Sequence, residues 1–198
     1  MAKAFYKDII LEIAEGVYEP REDSFLLAEA FEKEIKTKKY KNILDLGCGS
    51  GLLAIIAAKK GCKVTAADIE KKTLECAEKN AAENSAEISF VLSDLSQNVS
   101  GKFDMIVFNP PYLPEKISAD ARVWAAGENS ELIIRAISSL KDSLESDGKF
   151  LMVASSLSGI EEILKKFEDE GFIAAVTSEK KIPWETLCII SAIKRFYK

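Results

Sequence analysis

The sequence predicts an α/β protein built on a seven-stranded, mostly parallel sheet with one antiparallel strand. Three observations carry that expectation. From Lys41 onward, apolar runs of strand length alternate with segments of helical periodicity, the pattern of repeated βα units. The glycine-rich segment Asp45-Leu46-Gly47-Cys48-Gly49-Ser50-Gly51 sits where the first of these runs gives way to a helix. The last two runs are separated only by a short stretch containing Pro183, so they pair antiparallel instead of through a right-handed crossover.

Taken in chain order, the elements follow from local patterns. Pro20, the acidic pair Glu22 and Asp23, and Leu27, Phe31 and Ile35 at helical spacing predict a helix beginning near Pro20. Residues 1–40 are therefore expected to form a short helical extension of a single domain spanning 1–198. Strands are expected at Asn42 to Leu46, Lys63 to Asp68, Ile88 to Ser93, Phe103 to Phe108, Lys149 to Ala154, Phe172 to Ser178 and Thr186 to Lys194. The interior ones are nearly continuous apolar runs, as burial on both faces requires. Helices are expected at Leu52 to Lys60, Lys71 to Glu83, Ser130 to Glu145 and Ser158 to Asp169, with Gly61, Gly148 and Gly171 as left-handed stops. Ser158 and Glu161 have capping-box spacing, and Ile160, Leu164 and Phe167 form the apolar stripe that follows. Trp184 is assigned to core packing. The strand Ile88 to Ser93 falls at a sheet edge in this Rossmann-like topology, and an apolar edge calls for cover.

Composition narrows the function classes. In 198 residues, 27 Lys and Arg face 32 Asp and Glu, a formal charge of −5, which argues against a nucleic-acid phosphate backbone as partner. The lysines between Lys33 and Lys41 fit a solvated face. No apolar run approaches the length of a membrane span, and the N-terminus has no signal-peptide pattern. The four cysteines, Cys48, Cys62, Cys76 and Cys188, form no C-x-x-C pair, which suits free thiols in the cytoplasm. No metal site is expected.

The glycine segment sits at the carboxyl end of a strand, where open α/β sheets bind ligands. Its spacing, Gly47-x-Gly49-x-Gly51, departs from the G-x-G-x-x-G fingerprint that places a pyrophosphate on a helix N-terminus. S-Adenosyl-L-methionine has no pyrophosphate, and glycines without Cβ let its adenosine and methionine parts approach the backbone. Asp68, ending the second strand about twenty residues on, is placed to accept from ribose hydroxyls. Asp94, ending the third, is placed to accept from the adenine amine, with Ile69 and Leu95 packing on the base and the Leu95 amide donating to a ring nitrogen.

Asn109-Pro110-Pro111-Tyr112 follows the fourth strand and projects from the same edge of the sheet. Two prolines fix φ and remove two donors, which leaves rigid carbonyl acceptors. A delocalised amide or amino nitrogen is a poor nucleophile, so its N–H groups must be held in one direction. The Asn109 side chain and Pro110 carbonyl are suited to accept them, and Tyr112 to stack on the planar group or face a sulfonium. The chain has no histidine, so a histidine base is excluded. These residues predict methyl transfer to a planar nitrogen. A protein amide, adenine N6 and guanine N2 all remain open at this point, and a catalytically silent scaffold or a nicotinamide oxidoreductase fits less well.

The chain resembles the HemK-type protein N5-glutamine methyltransferases, in particular their archaeal and eukaryotic branch. The resemblance rests on Val17-Tyr18-Glu19-Pro20-Arg21-Glu22-Asp23-Ser24-Phe25-Leu26-Leu27, the Asp45 to Gly51 loop, Asp68, Asp94, Asn109 to Tyr112 and Trp124-Ala125-Ala126-Gly127. It implies the class I S-adenosylmethionine-dependent methyltransferase fold. Together with the motif reading it places Ser24, Asp45, Gly47, Gly49, Gly51, Asp68, Ile69, Asp94, Leu95 and Asn109 on the cofactor side, and Asn109, Pro110, Pro111 and Tyr112 on the catalytic side. It further implies that the substrate is the glutamine of the Gly-Gly-Gln motif of a class I peptide release factor. A small zinc-binding activator subunit on the third-strand edge is the expected partner. Trp124 and Gly127 would belong to a substrate-side loop.

Overall fold

The computed structural model describes residues 2–111 and 131–194. An antiparallel hairpin, β1 (Ala2–Tyr6) and β2 (Ile9–Ile13), comes first, followed by α1 (Glu22–Thr37). The alternation then runs β3 (Asn42–Leu46), α2 (Leu52–Lys59), β4 (Lys63–Asp68), α3 (Lys71–Glu83), β5 (Ser89–Leu92) and β6 (Phe103–Phe108). Beyond residue 130 come α4 (Glu131–Leu140), a 3₁₀ turn (Lys141–Ser143), β7 (Leu144–Ser155), α5 (Ile160–Asp169), β8 (Phe172–Ile182) and β9 (Glu185–Lys194).

The main sheet has seven strands in the order β5-β4-β3-β6-β7-β9-β8. All neighbours pair parallel except β9, which runs antiparallel to both β7 and β8, as the short Pro183 connection predicts. Successive side chains of the inner strands enter opposite layers, because the side-chain period of a strand is two. Ile43, Met105, Val107, Leu151 and Val153 join the apolar layer beneath α1, α2, α3 and the hairpin. Leu44, Ile106, Phe108, Phe150 and Met152 join the layer beneath α4 and α5. In that second layer Phe150, Phe167 and Phe172 pack edge to face at 5.4 and 5.5 Å between centroids. Each fully buried ring or branched chain contributes about 1.5–3 kcal/mol.

Four local expectations are corrected. The amino-terminal extension is not helical throughout: residues 2–13 are the hairpin, with Leu11 and Ile13 packed into the first core layer. Gly148 does not stop a helix. The helix ends at Leu140, and Gly148 lies inside β7, where an added Cβ would come within 2.9 Å of the Glu145 carbonyl oxygen and Leu144 Cδ2. The strand is irregular there, its register against β6 shifting between Phe103 and Met105, and only glycine tolerates that approach. The capping box does not form: α5 begins at Gly159 in the left-handed region without a side-chain cap bond, and Ser158 Oγ accepts instead from the Ser155 N–H at 3.3 Å. Trp184 is not in the core. It is 96% exposed at the β8–β9 turn, with φ of +81° after Pro183, the sequence and sign of a type II turn.

Candidate active site

The carboxyl ends of β3, β4 and β6 and the first turn of α1 surround one cavity of about 810 Å³, within the range of small-ligand sites. The glycine loop forms its floor. Gly51 caps α2 at φ of +88°, and a Cβ there would crowd Ala77 Cβ at 3.2 Å, so the residue also lets α3 approach the loop. Gly49, at φ of +55°, has open space where its Cβ would stand.

Because Gly51 offers no side-chain cap, an acid from the preceding strand does that work. Asp45 is 1% exposed and its Oδ2 accepts the Ala54 N–H at 2.9 Å, serving a donor in the first turn of α2. Burial pushes its carboxyl up to about 8; the Ala54 bond opposes the rise and nearby Asp68 adds to it. Asp68 ends β4 with Oδ2 accepting from the Gly49 N–H and Oδ1 from the Glu70 N–H, both at 3.1 Å. Burial raises its carboxyl despite those two bonds. Each oxygen keeps lone-pair capacity for the hydroxyl donors of a nucleoside ribose.

Ile69, 65% exposed, and Leu95 line the same cavity. Leu95 adopts φ of +49°, a costly conformation for its type, in a turn where Ser93 Oγ donates to its carbonyl at 2.9 Å. Asp94 also lines the cavity, and its carboxylate is engaged by the Arg135 guanidinium at 3.2 Å, a pairing the sequence reading did not foresee. An open glycine backbone, a sheltered acid at the β4 end and an apolar wall beyond it suit S-adenosylmethionine.

The acceptor side is built differently. Asn109, Pro110 and Pro111 leave β6 at the cavity wall, with Pro110 buried. Asn109 Nδ2 donates to Asp23 Oδ2 at 3.1 Å and to Ser24 Oγ at 3.0 Å, while its Oδ1 is buried without a partner among the described residues. Ser24, expected on the cofactor side, thus stands against Asn109, although it lines the cavity as well. The Tyr18 hydroxyl donates to Asp23 Oδ1 at 2.7 Å; burial, then the neighbouring Asp23 charge, raises the Tyr18 hydroxyl pKa. Tyr112 and the Trp124 to Gly127 segment lie outside the described residues.

One organising residue escaped the sequence reading altogether. Asn80 of α3 is fully buried; its Nδ2 donates to the carbonyls of Ser50 at 2.9 Å and Glu12 at 3.0 Å, and its Oδ1 accepts the Glu12 N–H at 2.8 Å. It joins hairpin, glycine loop and helix. An asparagine interrupting the apolar stripe Leu74, Ala77, Ala81 was the available signal.

Residues 19–181 match the family described as Methyltransferase small domain. The Methanocaldococcus jannaschii protein named as an N5-glutamine methyltransferase, MJ0928, is 39% identical over 191 residues, 93% of this chain and 95% of its own. The eRF1 methyltransferase catalytic subunit mtq2 of Schizosaccharomyces pombe is 32% identical, with 89% of this chain and 88% of its own covered. The solved Mtq2 chain of the E. cuniculi Mtq2–Trm112 complex superposes with a TM-score of 0.73 at 26% identity, over 90% of this chain and 99% of that one. This chain belongs to the methyltransferase small-domain family and stands within it among the protein N5-glutamine methyltransferases.

Proposed function

We propose that the protein transfers a methyl group from S-adenosylmethionine to the side-chain amide nitrogen of the glutamine in the Gly-Gly-Gln motif of a class I peptide release factor. The observation that carries the reading is the Asn109 side-chain Oδ1, a buried acceptor without a partner among the described residues, on a wall of the cavity that also holds Asp68 and Gly49. A buried unpaired acceptor costs about 1–3 kcal/mol, which an incoming N–H donor relieves. The relatives' names supply the substrate: mtq2 is named for eRF1, and the solved Mtq2 complex is described as responsible for methylation of that termination factor.

The cofactor, when bound, supplies an electrophilic methyl group on a sulfonium. Asp68 is assigned to the ribose hydroxyls, the Leu95 N–H and Asp94 to the adenine edge, and the loop of Gly47, Gly49 and Gly51 to the methionine side. Asn109 Oδ1 and the Pro110 carbonyl accept the two N–H bonds of the substrate amide and direct its nitrogen lone pair out of the delocalised plane. Tyr112 is assigned to the planar group on the strength of the motif alone. Such alignment is worth effective molarities on the order of 10⁵ M, so no strong base is needed; the proton leaves to water once nitrogen is alkylated and acidic.

We also propose that a small zinc-binding activator subunit covers β5, one of the two edges of the described sheet, where Leu92 is 49% exposed. The solved relative is in complex with Trm112. The four free thiols suit work in the cytoplasm, and no helix among the described residues is long and apolar enough to cross a membrane.

The decisive assay offers labelled S-adenosylmethionine to purified release factor, to its Gln-to-Ala variant, and to DNA and RNA. Label is expected on the release factor alone and lost with the glutamine. Label on nucleic acid but not on protein overturns the substrate assignment.

A further inference from the structure

We propose that Asp23 is a positioning residue for methyl transfer: with Tyr18 and Ser24 it dictates which end of the Asn109 side-chain amide is offered to the methyl acceptor. The proposal rests on the reading that Asn109 receives an acceptor N–H. The two ends of a primary amide have nearly the same shape, and a half-turn exchanges acceptor for donors. A turned Asn109 would present an NH₂ to the NH₂ it must hold, and no hydrogen bond would form.

Among the described residues, the surroundings of the amide permit one orientation. An aspartate carboxylate has no proton to give and can only accept. The single Ser24 hydroxyl proton is directed to Asp23 Oδ1 at 3.3 Å, so toward Asn109 the Ser24 oxygen is an acceptor too. Both neighbours of the amide, at 3.1 and 3.0 Å, therefore require Nδ2 on their side and leave Oδ1 for a ligand. Tyr18 completes the arrangement, because its hydroxyl occupies Asp23 Oδ1 at 2.7 Å and holds Oδ2 toward Asn109.

Burial sharpens the preference. Asp23 is 4% exposed and Ser24 5%, so the reversed amide would set two oxygens against each other out of water, where such a contact is least tolerated. The same charge-assisted bond draws electron density through the amide toward Oδ1 and strengthens it as an acceptor. A stronger acceptor pulls harder on the substrate N–H and leaves more density on the nitrogen that attacks. Asp23 thus acts on the reaction through Asn109, without touching substrate.

The test compares wild type with Asp23→Asn, which keeps shape but lets either amide end face Asn109, and with Asp23→Glu, which keeps an accept-only group. For Asp23→Asn, kcat is expected to fall about 100-fold, the scale of one lost orienting contact, while the acceptor KM and the cofactor Kd stay within about threefold. Asp23→Glu should recover about tenfold of that loss. In ¹⁵N-labelled protein, the Asn109 side-chain NH₂ protons should be protected from exchange in wild type and lose protection in Asp23→Asn. A kcat within threefold of wild type, or unchanged protection in the variant, overturns the proposal. If wild type transfers no methyl to release factor but the protection pattern changes as expected, the lock stands and the substrate reading fails.

Discussion

The two halves of the cavity are held by different means. On the glycine-loop side the decisive bonds run from side chain to backbone within consecutive βα units: Asp45 to Ala54, Asp68 to Gly49 and Glu70. On the acceptor side they run from side chain to side chain between Asn109 and residues 85 and 86 positions away. A site half built on backbone geometry is fixed once the local fold forms, whereas the other half depends on the identity of a few remote polar groups.

The sharpest way to break this contrast is to remove one residue from each half. Asn109→Ala is expected to lower kcat by at least about 10³-fold while cofactor binding by calorimetry stays within a few-fold. Asp68→Ala should do the reverse, weakening cofactor binding about 10–100-fold, the value of hydrogen bonds to a charged group. Equal loss of turnover and cofactor affinity in Asn109→Ala would assign that residue to the cofactor side and erase the distinction.

Asn80 tests whether the glycine loop is as self-sufficient as its local bonds suggest. Asn80→Ala leaves the Glu12 N–H and the carbonyls of Glu12 and Ser50 without their buried partner, and should cost about 2–3 kcal/mol in urea unfolding. A loss below about 0.5 kcal/mol would show that the loop holds without the hairpin.

A further test concerns pH. A carboxyl raised in the folded state and ordinary in the unfolded one takes up a proton on folding, so its contribution is fully present below the unfolded value and is lost as pH rises through the folded one. For Asp45 that window runs from the ordinary aspartate value of 3.8 to about 8. The thermal midpoint of wild type should therefore fall more steeply than that of Asp45→Asn between pH 5 and pH 8. Parallel profiles would mean that Asp45 is charged in the fold.

Much of the fold was legible because its signals are local. β3, β4, β6 and α3 begin and end where their apolar runs and helical periodicity do. The misses have particular causes. The β1–β2 hairpin turns at Lys7 and Asp8, and with Lys7 at φ of +54° where Asn or Gly is usual, Asp8 alone was a weak signal between two short strands. Trp184 occupies the left-handed place of a turn where glycine is the rule, and its bulk suggested a core it does not enter. Gly148 was visible as a glycine, but the reason for it, a close approach inside a strand, is tertiary. Of the residues that line the cavity, Asp68 and Asn109 were legible from their positions at the ends of strands and Asp45 from the glycine segment that it opens. Asp23, Tyr18 and Asn80 act through partners that spacing along the chain does not reveal.

The remoteness of those partners also orders assembly. Strand pairs such as Asn42 with Lys63 close spans of about twenty residues, whereas the Asp23–Asn109 contact closes one of 86. Loop-closure entropy grows as the logarithm of span, adding about 1.2 kcal/mol for the longer closure if it were made directly from the open chain. Once β3, β4 and β6 have paired, the distance is already short and that cost has been met. The acceptor half is thus completed by residues that leave the ribosome before the scaffold they close onto, and a nascent chain acquires its acceptor-holding geometry only when the sheet behind it is in place.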